Sequence, residues 1–155
     1  MAKRLIRLDI VNGNPRSIVC AENLEQGLFV KIEGRAKNVE LGVDADYEAY
    51  KVVKCKGGEA RGEIMLHASV ANQYDERLSE VDFELKAGKV GRAYQPVMGD
   101  IVTIPKVDGV EVGDKLGLGA NGLLVADGDL VIVEAIEDIN IPEADPQPSM
   151  VIRFL

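Results

Sequence analysis

The 155-residue chain has no tryptophan, a single histidine (His67), two cysteines (Cys20 and Cys55) and few aromatics, three phenylalanines and four tyrosines. One imidazole removes most histidine-based chemistry, because a His-rich metal site needs a second ring. His67 reads as an ordinary position in the strand-like run Glu63 to Ser69, and no Ser/His/Asp or Cys/His arrangement can be singled out around it. The cysteines lie far apart without CxxC or other metal-ligand spacing, so neither a disulfide framework nor a zinc site has support, and both read as reduced, half-buried thiols. No apolar run approaches the ~20 residues that carry a helix across a bilayer, which argues against a membrane protein. Met1 to Arg7 (MAKRLIR) lacks an apolar stretch of signal-peptide length and a small-residue cleavage site, so the chain is expected to stay where it is made.

Basic charge is also scarce. Eighteen Lys/Arg face 26 Asp/Glu, a net charge of −8, which disfavours wrapping nucleic acid because phosphate neutralisation needs a cationic surface. The imbalance is uneven. Residues 1–35 hold six basic and four acidic side chains, residues 36–99 nine and eleven, and residues 100–155 three and eleven. A slightly basic N-terminal arm therefore precedes an acidic body, a polarity that suits docking on an oppositely charged protein surface and also keeps an abundant protein soluble.

What the chain does contain is the pattern of short strands. Arg4 to Val11 (RLIRLDIV) is apolar around Arg7 and Asp9 and is closed by Asn12-Gly13-Asn14-Pro15; Ser17 to Cys20 follows. Gly27 to Glu33 alternates with period two, and Tyr47 to Lys54 and Glu63 to His67 are further strands. Ser69 to Lys86 matches both helical and strand spacing and is either one short helix or a connection ending in a short strand. From Gly88 on, apolar runs are divided by Gly99-Asp100, Asp108-Gly109, Gly113-Asp114, Asn121-Gly122 and Asp127-Gly128, each expected to supply a positive φ at a tight turn. The runs are Ile101–Ile104, Lys115–Leu118, Leu123–Ala126, Leu130–Ile136 and Met150–Leu155, and Pro142, Pro146 and Pro148 make the last connection a stiff extended loop. The expectation is an all-β protein: an N-terminal β-rich part, residues 1–87, packed against a small C-terminal β-barrel of short strands, residues 88–155, with a hinge at Ala87–Arg92.

Two motifs suggest chemistry and are opposed by their context. Gly117-Leu118-Gly119-Ala120-Asn121-Gly122 satisfies GxGxxG, but a short strand and turn follow where a dinucleotide site requires a helix. Gly42-Val43-Asp44-Ala45-Asp46-Tyr47 resembles the motif of the trimeric dUTP pyrophosphatase family, in which an aspartate orients the attacking water and a tyrosine packs on uracil. Here the motif is one residue short, no glycine follows Tyr47 at the expected place, the chain closes on the apolar MVIRFL, and no run of basic residues builds a phosphate site. The carboxylate pairs Asp127/Asp129 and Glu137/Asp138 lack the dense oxygen-ligand spacing of a calcium loop and read as a solvated acidic rim. No catalytic residue, metal ligand or cofactor is expected.

The combination of Asn23-Leu24-Glu25-Gln26-Gly27-Leu28-Phe29-Val30-Lys31-Ile32, Gly99-Asp100, Val112-Gly113-Asp114-Lys115-Leu116 with Gly122, and a closing Met150–Leu155 strand resembles the capsid decoration, or cement, proteins of tailed bacteriophages. That resemblance implies a homotrimer on the capsid exterior, with the major capsid protein as partner and synthesis in the host cytoplasm. This chain departs from the shortest decoration proteins in its longer N-terminal half. The Arg4–Val11 segment is the candidate partner-binding arm, through Arg4, Leu5, Ile6, Arg7, Leu8 and Ile10, because an extended segment can add to a neighbour's sheet edge; it is equally readable as an internal strand. The alternatives are a nucleotide hydrolase of the dUTP pyrophosphatase type, separable by pyrophosphate release with Mg²⁺, and another virion part such as a tail or connector β-barrel.

Overall fold

A computed structural model describes residues 6–35, 49–69, 84–139 and 147–155. The protein is all-β. Its strands are β1 (Arg7–Ile10), β2 (Pro15–Cys20), β3 (Leu24–Glu25), β4 (Phe29–Arg35), β5 (Ala49–Lys54), β6 (Ile64–His67), β7 (Glu84–Leu85), β8 (Val90–Tyr94), β9 (Ile101–Pro105), β10 (Lys115–Leu118), β11 (Leu124–Ala126), β12 (Val131–Ile139) and β13 (Gln147–Phe154). Single 3₁₀ turns at Arg61–Glu63 and Ala120–Gly122 are the helical elements among the described residues. The stretch read as either helix or connection lies, between residues 70 and 83, outside the described residues, and its end is the two-residue β7, paired with β3. No helix among the described residues is long and apolar enough to cross a membrane.

The strands form two main layers that do not follow the expected division at residue 88. β2, β5, β4, β6 and β8 pair in a closed cycle, in which β2–β5 is parallel and the other contacts are antiparallel. The closed unit is thus built mainly from the N-terminal half, whereas the C-terminal strands pair as a six-stranded sheet in the order β1-β9-β13-β12-β10-β11. The expected hinge at Ala87–Arg92 holds the start of β8, which returns to close the ring, and β1 leaves the N-terminal half to join the sheet. Val90-Gly91-Arg92-Ala93-Tyr94 gives little strand signal because of Gly91. That glycine is required by packing: a Cβ there would lie 2.4 Å from the Leu85 side chain and 2.7 Å from Ser69 Oγ.

Period-two alternation explains why the two layers adhere. On β4, Val30 points into the ring with Ile18, Val52, Met65 and Ala93, while Phe29 points out to the sheet. On β6, Met65 faces inward while Ile64 and Leu66 face outward, so all four residues of this strand are buried. The outward set packs on Val102, Ile104, Leu116, Val131, Val133, Met150, Ile152 and Phe154, with the Phe29 and Phe154 rings edge-to-face at 6.1 Å. Each fully buried aliphatic contributes on the order of 1.5–3 kcal/mol, so this shared layer is the main reason the halves fold as one.

The loops follow the turn chemistry in most places. Gly99, Gly109, Gly113 and Gly122 have positive φ as expected. At Asp127-Gly128 the positive φ is on Asp127 (62°), and Gly128 serves close approach instead: a Cβ there would lie 2.1 Å from Gly117 N. Pro148 lies inside β13 opposite Asp138, and its carbonyl accepts from Lys106 N at 3.1 Å; Pro142 and Pro146 lie outside the described residues. Gly122 combines φ +73° with a backbone wedged against the ring, donating to Cys55 O at 2.9 Å; a Cβ would sit 2.5 Å from Phe29 O. Gly109 shares the φ (+77°) but has open space around it. In urea denaturation, Gly109→Ala is therefore expected to cost about 1 kcal/mol and Gly122→Ala clearly more, roughly 2–4 kcal/mol. Equal losses would show that the ring–sheet contact at Gly122 is not tight.

Candidate functional site

The candidate arm is an edge. β1 pairs antiparallel with β9, with Arg7 opposite Thr103, Leu8 opposite Val102 and Ile10 opposite Ile101, and a bulge at Asp9. Among the described residues its other edge has no strand partner. All four residues of β1 are exposed, Leu8 at 46% and Ile10 at 58%. Ile6 is partly buried against the shared core, and Arg4 and Leu5 lie outside the described residues. Arg7 is engaged within the chain: Nε donates to Asp9 Oδ1 at 2.6 Å, and Nη2 to Glu137 Oε1 at 2.6 Å and Thr103 Oγ1 at 3.0 Å. Glu137 and then Asp9 hold this guanidinium above its ordinary pKa. Thr103 Oγ1 in turn donates to Asp9 Oδ2 at 2.7 Å. Such exposed pairs contribute little to stability but fix the direction of the strand.

One end of this edge is clamped by a carboxylate that sequence reading placed only in a turn. Asp100 is fully buried. Its Oδ1 accepts from Asn12 N at 2.9 Å, and its Oδ2 from Gly13 N and Val97 N, both at 3.1 Å. Asp100 O also accepts from Phe154 N, and Phe154 O from Gly99 N, each at 2.9 Å. Backbone donors satisfy both oxygens of the buried side chain, as burial demands. The β1–β2 turn and the loop before β9 are thereby tied to the same carboxylate, and Ile10, Val97 (42% exposed) and Met98 (76% exposed) project at this end of the sheet. Gly13 is needed there because a Cβ would lie 2.1 Å from Gln95 O. Exposed apolar side chains thus lie beside a strand edge that has no strand partner among the described residues.

The single imidazole is enclosed. His67 does have partners: its Nδ1 lies 2.7 Å from Glu25 O and its Nε2 2.7 Å from Ser69 Oγ. The carbonyl can only accept, so Nδ1 carries the proton and Ser69 Oγ donates to Nε2; Arg92 N donates to the same hydroxyl at 3.1 Å. Gln26 completes the cluster, accepting from Ser69 N at 2.9 Å and donating to Ser69 O. The order serine, imidazole, orienting carbonyl resembles a nucleophile and base, but His67 is 0% and Ser69 5% exposed. Its evident consequence is to tie β6 to the Glu25–Gln26 turn and β8. Burial lowers the His67 pKa to about 4, with the Glu25 carbonyl partly opposing that shift.

Cys20 and Cys55 are fully buried rather than half-buried, in different clusters, and burial raises both thiols, Cys55 to about 12. Asp127, Asp129, Glu137 and Asp138 are exposed, and no group of three or more His, Cys, Asp or Glu among the described residues could hold a metal. Gly117 lies on β10 and Gly122 in the 3₁₀ turn before β11, so the GxGxxG run opens no α-helix. Residues 42–47 lie outside the described residues. Sequence reading missed one gathering of charge: Arg16, Arg35 and Arg92, from three strands, line one concavity with Ser17 and Tyr50.

Two outcomes test this construction. Asp100→Ala strips three backbone donors of their acceptor and is expected to cost roughly 3 kcal/mol in chemical denaturation, with Asp100→Asn milder because one oxygen remains. For His67 the folded pKa lies below the unfolded one, so unfolding takes up a proton between pH 6.5 and about 4. Stability is complete above pH 6.5 and falls as pH drops towards 4, by up to roughly 3 kcal/mol. This component of the pH slope should vanish in His67→Gln, and an NMR titration of the single imidazole near pH 6.5 in the folded protein would contradict it. Comparison of the chain with protein-family models, curated proteins and solved structures finds no match.

Proposed function

We propose that the chain is a non-enzymatic virion structural protein that binds the outside of a phage capsid as a homotrimer and bridges neighbouring capsid subunits. The observation that carries this reading is the outer edge of β1, which has no strand partner among the described residues, with Leu8 and Ile10 exposed and the loop that carries the exposed Val97 and Met98 tied to Asp100 through Val97 N. A cement protein needs a rigid β scaffold, an edge that joins a neighbour, and charge that keeps it soluble before assembly. The shared core provides the first and the net charge of −8 the last. The bulge at Asp9 and the Arg7 network restrict what can add to the edge, which favours one partner over indiscriminate strand pairing. Main-chain hydrogen bonds to the edge supply affinity, and burial of Ile10 and Met98 supplies the apolar component.

The test is co-sedimentation with undecorated shells of the phage whose genome encodes the chain. The native protein is expected to saturate them. The double variant Ile10→Lys/Met98→Lys, altered only at exposed positions, should keep its circular dichroism melt and lose at least about tenfold in affinity, since two apolar contacts are replaced by desolvated charges. Undiminished binding by the variant would remove the edge from the interface, and no binding by the native protein would remove the function.

A further inference from the structure

The arginines of this acidic chain are distributed unevenly over its partners. Of the six in the described residues, Arg7 is ion-paired with Asp9 and Glu137, Arg153 is ion-paired with Glu134, and Arg61 donates to Leu130 O. The other three, Arg16, Arg35 and Arg92, have no carboxylate partner among the described residues and line one concavity of about 400 Å³. The ring's closure produces this meeting. β2 lies between β8 and β5, placing Ser17 opposite both Arg92 and Ala49, and β4 runs alongside β5, placing Arg35 opposite Tyr50. Arg16 immediately precedes Ser17 on β2, opposite Ala93, and all three arginines are exposed.

Three guanidinium groups around one hollow repel each other, and no acidic residue lies in its described lining. An anion reverses the sign of that energy. Guanidinium forks match phosphate and carboxylate oxygens in pairs, and the Ser17 and Tyr50 hydroxyls add neutral donors. A single carboxylate would compensate only one charge, whereas a polyphosphate chain presents several charged oxygens along a few ångströms. The hollow is at the small end of the range for ligand sites, which suits a short chain of phosphoryl groups and not a broad macromolecular surface.

We infer that the Arg16/Arg35/Arg92 concavity is a binding site for a small polyphosphate. It is separate from the β1 edge and stands whether or not the chain decorates a capsid. Isothermal titration of the full chain with inorganic triphosphate at low salt tests it, with ATP as a second titrant to show whether a nucleoside adds to the phosphate chain. Saturable 1:1 binding is expected, weakening at least about tenfold from 50 to 500 mM NaCl. Arg16→Gln and Arg92→Gln should each lose about tenfold, while Arg61→Gln, outside the concavity, should bind as the native protein does. Absence of saturable binding at low salt, or binding indifferent to Arg16 and Arg92, would overturn the site. Tighter binding of a hexaglutamate peptide than of triphosphate would overturn the phosphate assignment.

Discussion

The structure depends on the two-sided burial of β4 and β6. Because side chains alternate across a strand, Val30 and Met65 fill the ring while Phe29, Ile64 and Leu66 form half of the layer under the six-stranded sheet. Neither layer could be removed without exposing the other's apolar face. This explains why β6 reads as a continuous apolar run, Ile64-Met65-Leu66, and not as an alternating one. It also explains why the polar groups trapped in this region are satisfied so completely. His67, at the inward-facing end of β6, has both ring nitrogens engaged, and Ser69 and Gln26 exchange hydrogen bonds through backbone and side chain. In contrast, Tyr94 Oη is buried and has no hydrogen-bond partner among the described residues, and burial raises its pKa.

Rigidity is what the layered core provides to the surface. β9 and β13 are central in the sheet and buried on the core side, so β1 is added to a fixed template. Asp100 extends that order into the loops, holding Asn12, Gly13 and Val97 with one carboxylate. A surface held in this way would lose little conformational entropy on association with a partner, because its backbone is already fixed. The exposed apolar side chains Ile10 and Met98 are carried on that held backbone. The backbone positions of Arg16, Arg35 and Arg92 are likewise set by the register of strands in the ring.

Much of the fold was legible because short strands between glycine turns leave few alternatives. Lys115–Leu118 is β10 as read, and the runs at 101–104, 123–126 and 130–136 differ from β9, β11 and β12 by at most a few residues at their ends. Pairing was not legible, since period-two patterns state which face is buried but not which strand lies alongside. The closed cycle therefore appears in the N-terminal half, and β1 and β8 each belong with strands from across the expected boundary. The arm was legible as an extended segment, and its in-chain pairing with β9 leaves one edge without a strand partner among the described residues. The arginine hollow and the Asp100 clamp were hidden because their members are separated in sequence and meet only through strand register. His67 was hidden because its partners are a turn carbonyl and a serine two residues away, neither of which forms a recognisable motif.

The central claim is that the outer edge of β1 joins a neighbouring protein. Hydrogen–deuterium exchange of the chain, free and bound to undecorated shells, measures this directly. The account predicts that amides of residues 7–10 gain strong protection on binding, together with the Val97–Gly99 loop, while β6 is unchanged because it is already buried. Bound protein whose β1 amides exchange as fast as in the free chain would contradict it.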